Sequence, residues 1–293
     1  MILNKSIFGF FLGTLIIGLG ACSDSSTSSQ LSGISIIPTQ AFVHKATAAN
    51  SSGASTFLDG ISHPEIMDPN TKIIVTQRLD ISGFISDPSN DNVIAVTYNE
   101  SEGVWAIINT NGSAIPNGAR FNVLIPGNQG TSFIHQVDTS GLGGGRVFDH
   151  PDAANENARF FITPVYEEGS VVTGHRVSVN FGGFIELGYR WNVRKEHASG
   201  LSQGEKFHVY IPGSSEVSEN LHNDLAAPLY HIYNSTHPNF SGIHFITLDT
   251  TGSNPYINEN YSIGNSNNSN IFIRNLDGSN IGTTEGFNVL TVF

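Results

Sequence analysis

Residues 118–127 read GARFNVLIPG, and the chain contains two further copies of this segment. It returns as GEKFHVYIPG at residues 204–213 and as EGFNVLTV at residues 285–292. After the phenylalanine, alternate residues are apolar, which is typical of a β-strand with one buried face. The copies are 86 and then 80 residues apart, counted between their phenylalanines. A recurring hydrophobic strand at this period indicates a chain built from copies of one unit.

The rest of the chain after residue 40 has the same character. Short runs rich in Val, Ile, Phe and Thr alternate with turns that contain Gly, Asn, Asp and Pro. The only helical turn that the pattern favours lies at residues 214–227, where Pro228 would end it. We therefore predict an all-β fold of tandem sandwich-like or barrel-like repeat units, two full and one truncated.

The copies also predict where the units begin and end. We place the first unit at residues 41–130, the second at 131–213 and a truncated third at 229–293, with a connector at 214–228. Trp105 and Trp191 each stand sixteen residues before the phenylalanine of the closing segment, and Ile271 holds this position in the third copy. Alternating apolar neighbours predict that both tryptophans belong to the core.

The first 40 residues do not resemble the rest of the chain. Residues 1–21 carry one lysine and an apolar run, as a secretory signal peptide does. The run ends in LGAC at residues 19–22, which resembles the lipobox of bacterial lipoproteins, where the cysteine is acylated. This resemblance implies lipidation of Cys22 and a membrane anchor, with Ser23 favouring the outer membrane. The Ser-rich residues 22–40 read as a flexible tether.

Composition narrows the classes of partner. Acidic residues outnumber basic ones 25 to 13, for a net charge of −12. Nucleic acids and anionic lipid surfaces require basic patches, so we exclude them as partners of the body. Cys22 is the only cysteine, and the mature chain therefore contains no disulfide.

Histidine and aspartate recur in the two full units and form the first candidate site. The residues are His44, Asp59 and His63 in the first unit and His135, Asp149 and His150 in the second. Two imidazoles and a carboxylate are a ligand set that zinc accepts. The alternative is structural, because a strand-end His can hydrogen-bond across a sheet and an Asp before His-Pro can close a turn. The spacing matches no compact ligand motif, and we favour the structural interpretation.

Catalysis and calcium binding have weaker support. No nucleophile motif is present, although Asp152, Glu167, Glu168 and Glu186 are carboxylates that a glycosidase could pair. Residues 87–92 (DPSNDN) cluster oxygen ligands but lack the glycine and final glutamate of an EF-hand loop. No cofactor motif is recognisable, so we expect none.

Exposed tyrosines are the remaining candidates for a ligand site. Aromatic side chains beside Asn and Ser could line a groove for a glycan or a peptide. The tyrosines considered are Tyr189, Tyr210, Tyr230, Tyr233, Tyr256 and Tyr261, with Tyr189, Tyr210, Tyr256 and Tyr261 the preferred ones.

The repeated motifs resemble a family of secreted bacterial tandem β-repeat domains with no assigned function. The match runs through FVHKATAAN at residues 42–50 and GARFNV at residues 118–123. It fails after residue 76, where QRLD replaces the family's NWNP. The resemblance implies an architecture and no chemistry. We expect a non-catalytic envelope lipoprotein that binds a glycan or a protein, with an envelope hydrolase or metal-dependent enzyme, or a structural spacer, as alternatives.

Overall fold

The structure, a computed structural model, describes residues 35–78, 90–138, 145–167, 175–184, 187–195, 200–222, 231–233, 242–251, 261–265, 271–275 and 286–293. The predicted signal peptide, Cys22 and most of the tether lie outside these residues. In the described part of the chain, no helix is long and apolar enough to cross a membrane.

The strands fall into three consecutive sets, which we call repeats 1, 2 and 3. Repeat 1 contains β1 (Gln40–Lys45), β2 (Ser51–Ser52), β3 (Ser55–Phe57), β4 (Ile74–Arg78), β5 (Ile94–Asn99), β6 (Val104–Asn109) and β7 (Arg120–Ile125). Repeat 2 contains β8 (Thr131–Gln136), β9 (Arg146–Val147), β10 (Phe161–Val165), β11 (Val177–Phe184), β12 (Gly188–Lys195) and β13 (Lys206–Ile211). Repeat 3 contains β14 (Val217–His222), β15 (His231–Tyr233), β16 (Ile243–Asp249), β17 (Tyr261–Asn265), β18 (Ile271–Asn275) and β19 (Gly286–Val292).

Two short 3₁₀ turns complete the described elements. They are Pro64–Met67 in repeat 1 and Pro151–Ala154 in repeat 2. Each begins with the proline of a His-Pro pair, since the fixed φ of proline suits the first position of a helical turn. The all-β prediction is confirmed, and none of the three described sheets closes into a barrel.

Every repeat is divided between two sheets in the same way. In repeat 1, β7 pairs with β1 and β4 in one sheet, while β6 pairs with β3 and β5 in another. Repeat 2 repeats this pattern with β8-β13-β10 and β9-β12-β11, and repeat 3 with β14-β19-β16 and β15-β18-β17. These pairs within repeats are antiparallel. Both halves of repeat 1 contribute to one core cluster, which extends from Ala46 to Ile125 and also contains Val165 of repeat 2.

The repeats are joined by parallel strand pairs. β5 of repeat 1 pairs with β10 of repeat 2, β11 of repeat 2 with β16 of repeat 3, and β17 of repeat 3 with β4 of repeat 1. Each sheet is consequently shared by two repeats, and the third join returns to the first repeat. The three repeats are thus arranged in a ring with approximate threefold symmetry.

Three buried threonines lie at matching positions of the central strands β4, β10 and β16. The hydroxyl of Thr163 accepts a hydrogen bond from the Val75 backbone N–H at 2.9 Å. The hydroxyl of Thr247 accepts one from Ile162 at 3.2 Å, and Thr76 accepts one from Ile246 at 3.2 Å. Each repeat thus satisfies a backbone donor of another, and the cycle closes. Buried donors need such partners, which explains a polar residue at the centre.

An apolar layer lies beside the threonines. It contains one residue from the start of each central strand and one from each closing strand: Ile74, Leu124, Phe161, Tyr210, Phe245 and Leu290. All six are almost fully buried. The closing segments that revealed the repeat therefore contribute both to the core of their own repeat and to the centre of the ring.

The register also corrects the interpretation of residues 214–227. The predicted helical turn is wrong, because Val217–His222 is β14, which pairs along its whole length with β19. Its polar residues suit the edge of a sheet, where the pairing with β19 supplies backbone partners. Repeat 3 therefore has a strand at the position of β1 and β8, and its shorter sequence still provides all six strand positions.

Candidate functional site

The three candidate ligands of the first unit have separate partners. His44 is buried, and its Nε2 lies 2.7 Å from the Thr56 hydroxyl. Burial lowers the pKa of His44 to about 4, and the charge of Asp59 offsets only part of this effect. Asp59 accepts hydrogen bonds from Ser62 Oγ at 2.6 Å and from the Ile61 N–H at 3.0 Å. The ring of His63 stacks on Phe42 with the centroids 3.7 Å apart.

The second unit repeats these roles. His135 is buried, and its ring meets that of Phe148 edge-on at 5.1 Å. Burial lowers the pKa of His135 to about 4 as well. His150 stacks on Phe133 at 5.0 Å, and its Nδ1 accepts a hydrogen bond from the Asp152 N–H. Asp149 is an exposed residue of the preceding bend.

These contacts account for the recurrence of the aromatic-x-His and His-Pro motifs. In both repeats the histidine of His-Pro stacks on the aromatic residue of the first strand, which fixes the 3₁₀ turn against the sheet. Among the described residues, no three His, Cys, Asp or Glu side chains gather as a metal site would require. The structure therefore does not bring the six histidine and aspartate candidates together as a ligand set.

The candidate carboxylates and oxygen ligands are also dispersed. Glu167 forms an ion pair with Lys206 at 2.6 Å, and Asp152 lies 3.6 Å from His150 Nδ1. Glu168 and Glu186 are outside the described residues. Of residues 87–92 only the last three are described, and Asn90 is buried, donating to Asn109 Oδ1 at 2.7 Å.

Among the tyrosines, Tyr210 is wrongly predicted as an exposed ligand contact. It is fully buried in the central apolar layer, because its position in β13 matches that of Leu124 in β7. Its hydroxyl donates to Glu216 and lies 3.1 Å from that of Thr39. Burial, with help from Glu216, raises the pKa of Tyr210 above its ordinary value. Tyr230 and Tyr256 lie outside the described residues, as do the side chains of Tyr233 and Tyr261.

Both tryptophans are core residues, as predicted, with Trp105 3% and Trp191 2% exposed. Each indole N–H reaches over the 3₁₀ turn of its repeat and donates to a backbone carbonyl. Trp105 donates to Asp68 at 3.0 Å, and Trp191 donates to Asn155 at 2.9 Å. The residues after the two turns are therefore held at matching positions.

In repeat 2 a series of aromatic contacts leads from this core to the surface. Phe160 lies 5.6 Å from Trp191, Trp191 lies 5.6 Å from Phe181, and Phe181 lies 5.9 Å from Tyr189. The last ring is 68% exposed. Tyr189 pairs across the hairpin with Gly183, which has no side chain to displace the ring. Its rear side is thus packed while its front is open to solvent.

The hairpin β11–β12 carries Tyr189 beyond the body of the sheet. These strands have eight residues each, against six in β5 and β6. Gly188, which opens β12, has φ of +69°, a conformation that side chains disfavour and that glycine adopts freely. The longer hairpin places Tyr189 over the segment that follows the 3₁₀ turn.

A surface pocket of about 570 Å³ lies between the hairpin and this segment. Its lining, which we call the Tyr189 surface, consists of Ala154, Asn155, Glu156, Asn157, Phe181, Tyr189 and Thr251. Asn155 to Asn157 are exposed. Asn155 Oδ1 accepts the Asn157 N–H at 3.0 Å, and the Thr251 hydroxyl accepts the Phe181 N–H at 2.8 Å. Within the described residues, the side chains of Glu156 and Asn157 have no partner, so their polar atoms face solvent.

The sequence predicted only Tyr189 among these residues. Phe181 and Thr251 belong to different repeats, so no spacing along the chain connects them. Comparison of the copies could have indicated the rest of the site. Gly103 in repeat 1 and Tyr189 in repeat 2 each stand two residues before the tryptophan, so the copies differ at this position. The site lies where the copies differ.

A second cavity, of about 130 Å³, adjoins the three central strands and is lined by residues of all three repeats. Its two threonines and its glutamine have structural partners. Thr76 and Thr247 take part in the central hydrogen bonds, and Gln77 donates to the Asn92 carbonyl at 2.8 Å. The Tyr189 surface, which is larger and has unused polar groups, is the better candidate for binding.

A family described as a domain of unknown function (DUF7452) matches residues 95–211 of the chain. The matched stretch runs from β5 to the end of β13 and contains all of repeat 2, including Tyr189. No curated protein and no solved structure matches the chain. The similarity agrees with the expected likeness to a domain family without assigned function, and it carries no chemistry.

Proposed function

We propose that this protein is a non-catalytic lipoprotein of the cell envelope that binds a surface ligand through the Tyr189 surface. The observation that carries the proposal is the exposed ring of Tyr189, held from behind by Phe181 above a pocket of about 570 Å³. This volume is within the range of pockets that bind small ligands, about 300–1,000 Å³. An aromatic ring at a pocket with a few polar groups beside it is the arrangement that ligand sites share.

The conserved roles within the repeats support binding over catalysis. The buried histidines of repeats 1 and 2 pack inside the sandwiches, and the histidines of His-Pro fix turns. None of them adjoins the Tyr189 surface, whose lining contains Glu156 as its one titratable carboxylate. General acid and base catalysis of glycoside cleavage uses two carboxylates.

The N-terminal sequence supports the envelope location. The signal-like residues 1–21 and the lipobox-like LGAC at 19–22 would place an acylated Cys22 at the membrane, with outer-membrane sorting favoured by Ser23. Residues 22–40 would serve as the tether to the body. Acyl chains contribute about 0.8 kcal/mol per buried CH₂, so several chains hold a protein stably on one leaflet.

The anchor is tested by Cys22→Ser in the full chain, expressed in a bacterial host that processes lipoproteins. We expect the variant to leave the membrane fraction while the body keeps its β-sheet circular dichroism spectrum. Retention in membranes washed with high salt would contradict the lipoprotein assignment.

The binding site is tested by retention of the Cys22→Ser protein on isolated cell-envelope material. We expect Tyr189→Ala to lose retention by about tenfold or more, as stacking on an aromatic ring contributes about 0.5–1.5 kcal/mol beyond buried area. Tyr98→Phe, a matched change in repeat 1, should leave retention unaltered. Equal retention of wild type and Tyr189→Ala would remove the basis of the proposal.

A further inference from the structure

The ligand class can be read from the chemistry of the Tyr189 surface, on the condition that the proposed binding function holds. We infer that the surface binds a saccharide, with one sugar ring stacked on Tyr189. Two observations support it, namely the presentation of the aromatic ring and the nature of the polar groups beside it.

The presentation of Tyr189 suits a sugar ring. Phe181 and Gly183 support one side of the phenol ring, and the other side faces solvent. The electron-rich face of an aromatic ring attracts C–H groups, which carry partial positive charge. A pyranose presents such C–H groups on one face and hydroxyls around its rim. A rigid, half-exposed ring therefore binds it with little loss of side-chain entropy.

The polar groups suit the rim of the sugar. Asn157 offers a carboxamide and Glu156 a carboxylate, neither of which has a partner within the described residues. The Thr251 hydroxyl accepts from the Phe181 N–H and can still donate its own proton. Carboxamide and carboxylate groups accept or donate in pairs, as neighbouring hydroxyls of a sugar require. The groups are arranged around Tyr189, so stacking and hydrogen bonding act on the same ligand.

Charged groups of both signs border the pocket. Glu156 is the only charged side chain in the lining, but the guanidinium groups of Arg159 and Arg190 lie beside it. Arg159 donates to the Glu156 carbonyl and Arg190 to the Tyr189 carbonyl, each at 3.3 Å. Sugar hydroxyls can donate to a carboxylate and accept from a guanidinium group, so stacking and hydrogen bonding define the ligand class.

A protein ligand fits less well. Stable protein interfaces bury about 800 Å² on each partner and contain several desolvated anchors. The Tyr189 surface has one exposed anchor beside exposed Asn, Glu and Asn residues. It is a small polar pocket with a single stacking ring, as saccharide sites require.

The test uses the envelope material that retains the Cys22→Ser protein, divided into three portions. One is untreated, one is oxidised with periodate, which cleaves vicinal diols of sugars, and one is digested with a protease. We expect periodate to lower retention by about tenfold or more and protease to leave it unchanged. Loss on protease with survival after periodate would overturn the saccharide inference, yet it would leave the binding function intact if Tyr189→Ala still abolishes retention.

Glycan released from the same material provides a second test. We expect the released glycan to compete with the envelope material for the Cys22→Ser protein and to lower retention by about tenfold or more. An absence of competition, with retention that still depends on Tyr189, would contradict the assigned ligand class. Retention that is insensitive to Tyr189→Ala would instead refute the proposed function itself.

Discussion

The hairpin β5–β6 of repeat 1 and the hairpin β11–β12 of repeat 2 occupy equivalent places, but only the second presents an exposed ring. In repeat 1, Tyr98 donates from its hydroxyl to the Met67 carbonyl at 2.7 Å, which ties the hairpin to the 3₁₀ turn. In repeat 2, Phe181 stands at the position of Tyr98 and has no hydroxyl for such a bond. Tyr189 replaces Gly103, and a pocket lies where the hairpin and the turn are separate.

This difference separates structural from functional conservation within one chain. What the two repeats share is the tryptophan bond to the segment after the turn, the stacked histidine and the buried strand histidine. The repeats differ at two positions, where Tyr98 and Gly103 of repeat 1 correspond to Phe181 and Tyr189 of repeat 2. They also differ in the length of the hairpin. Shared polar residues therefore maintain the fold, and a ligand site is more readily found where one copy departs from the other.

The largest expected effect tests whether the two tryptophans contribute equally to the free energy of unfolding. Trp105→Ala and Trp191→Ala should each lower the free energy of unfolding by about 3–5 kcal/mol, because each removes a buried indole and its hydrogen bond. Since parallel strand pairs join the repeats, we expect each variant to shift one common transition in urea. If a variant shifted only part of the transition, the repeats would unfold separately. The milder Trp→Phe changes serve where an alanine variant does not fold.

Sequence reasoning succeeded for features that recur locally. The closing strand, the two tryptophans and the all-β fold follow from apolar alternation and spacing, which are set by contacts within one repeat. The alignment of Ile271 with the tryptophans is confirmed by the strand register, because Ile273 pairs in β18 as Val193 pairs in β12. These features need no knowledge of distant residues.

It failed where distant residues decide the outcome. Val217–His222 pairs with β19, about 70 residues later, and this edge pairing leaves no local pattern that would predict a strand. The burial of Tyr210 depends on residues of repeats 1 and 3, which no local pattern around β13 indicates. The ring arrangement rests on three parallel joins between repeats, and the Tyr189 surface combines two of those repeats.

The next effect concerns acid stability and tests the buried strand histidines. Burial lowers the pKa of His44 and of His135 to about 4, whereas an unfolded histidine titrates near 6.5. Between these values the unfolded chain binds more protons than the folded one. The folded state is therefore fully favoured above about pH 6.5 and loses stability as the pH falls to 4. The loss should reach about 3 kcal/mol for each residue.

Urea unfolding at pH 7.5, 5.5 and 4.5 measures this loss. His135→Phe should remove its share of the pH dependence with little cost at pH 7.5, because Nε2 of His135 has no partner among the described residues. His44→Phe should remove a similar share but cost about 1 kcal/mol at pH 7.5, since the Thr56 hydroxyl loses its contact with the ring. An unchanged pH dependence in both variants would place the titrating groups elsewhere.

The smallest expected effect comes from exchanging the phenol hydroxyl, which Tyr98 has and Phe181 lacks. Phe181→Tyr adds a hydroxyl at the position from which Tyr98 reaches Met67 in repeat 1, and Ala154 is the equivalent of Met67 in repeat 2. We expect the new hydroxyl to donate to the Ala154 carbonyl, to raise the free energy of unfolding by about 1 kcal/mol and to narrow the pocket. Retention of the Phe181→Tyr variant on envelope material should also fall, because the pocket is narrower.

The reciprocal variant, Tyr98→Phe, should lower the free energy of unfolding by about 1 kcal/mol, because it deletes the bond to Met67, and should leave retention unchanged. Urea unfolding and the retention assay on both variants decide the matter. Stabilisation by Phe181→Tyr without any loss of retention would show that the ligand does not enter the space between hairpin and turn. The ligand would then contact only the outer face of the Tyr189 ring, and this contact would consist of stacking.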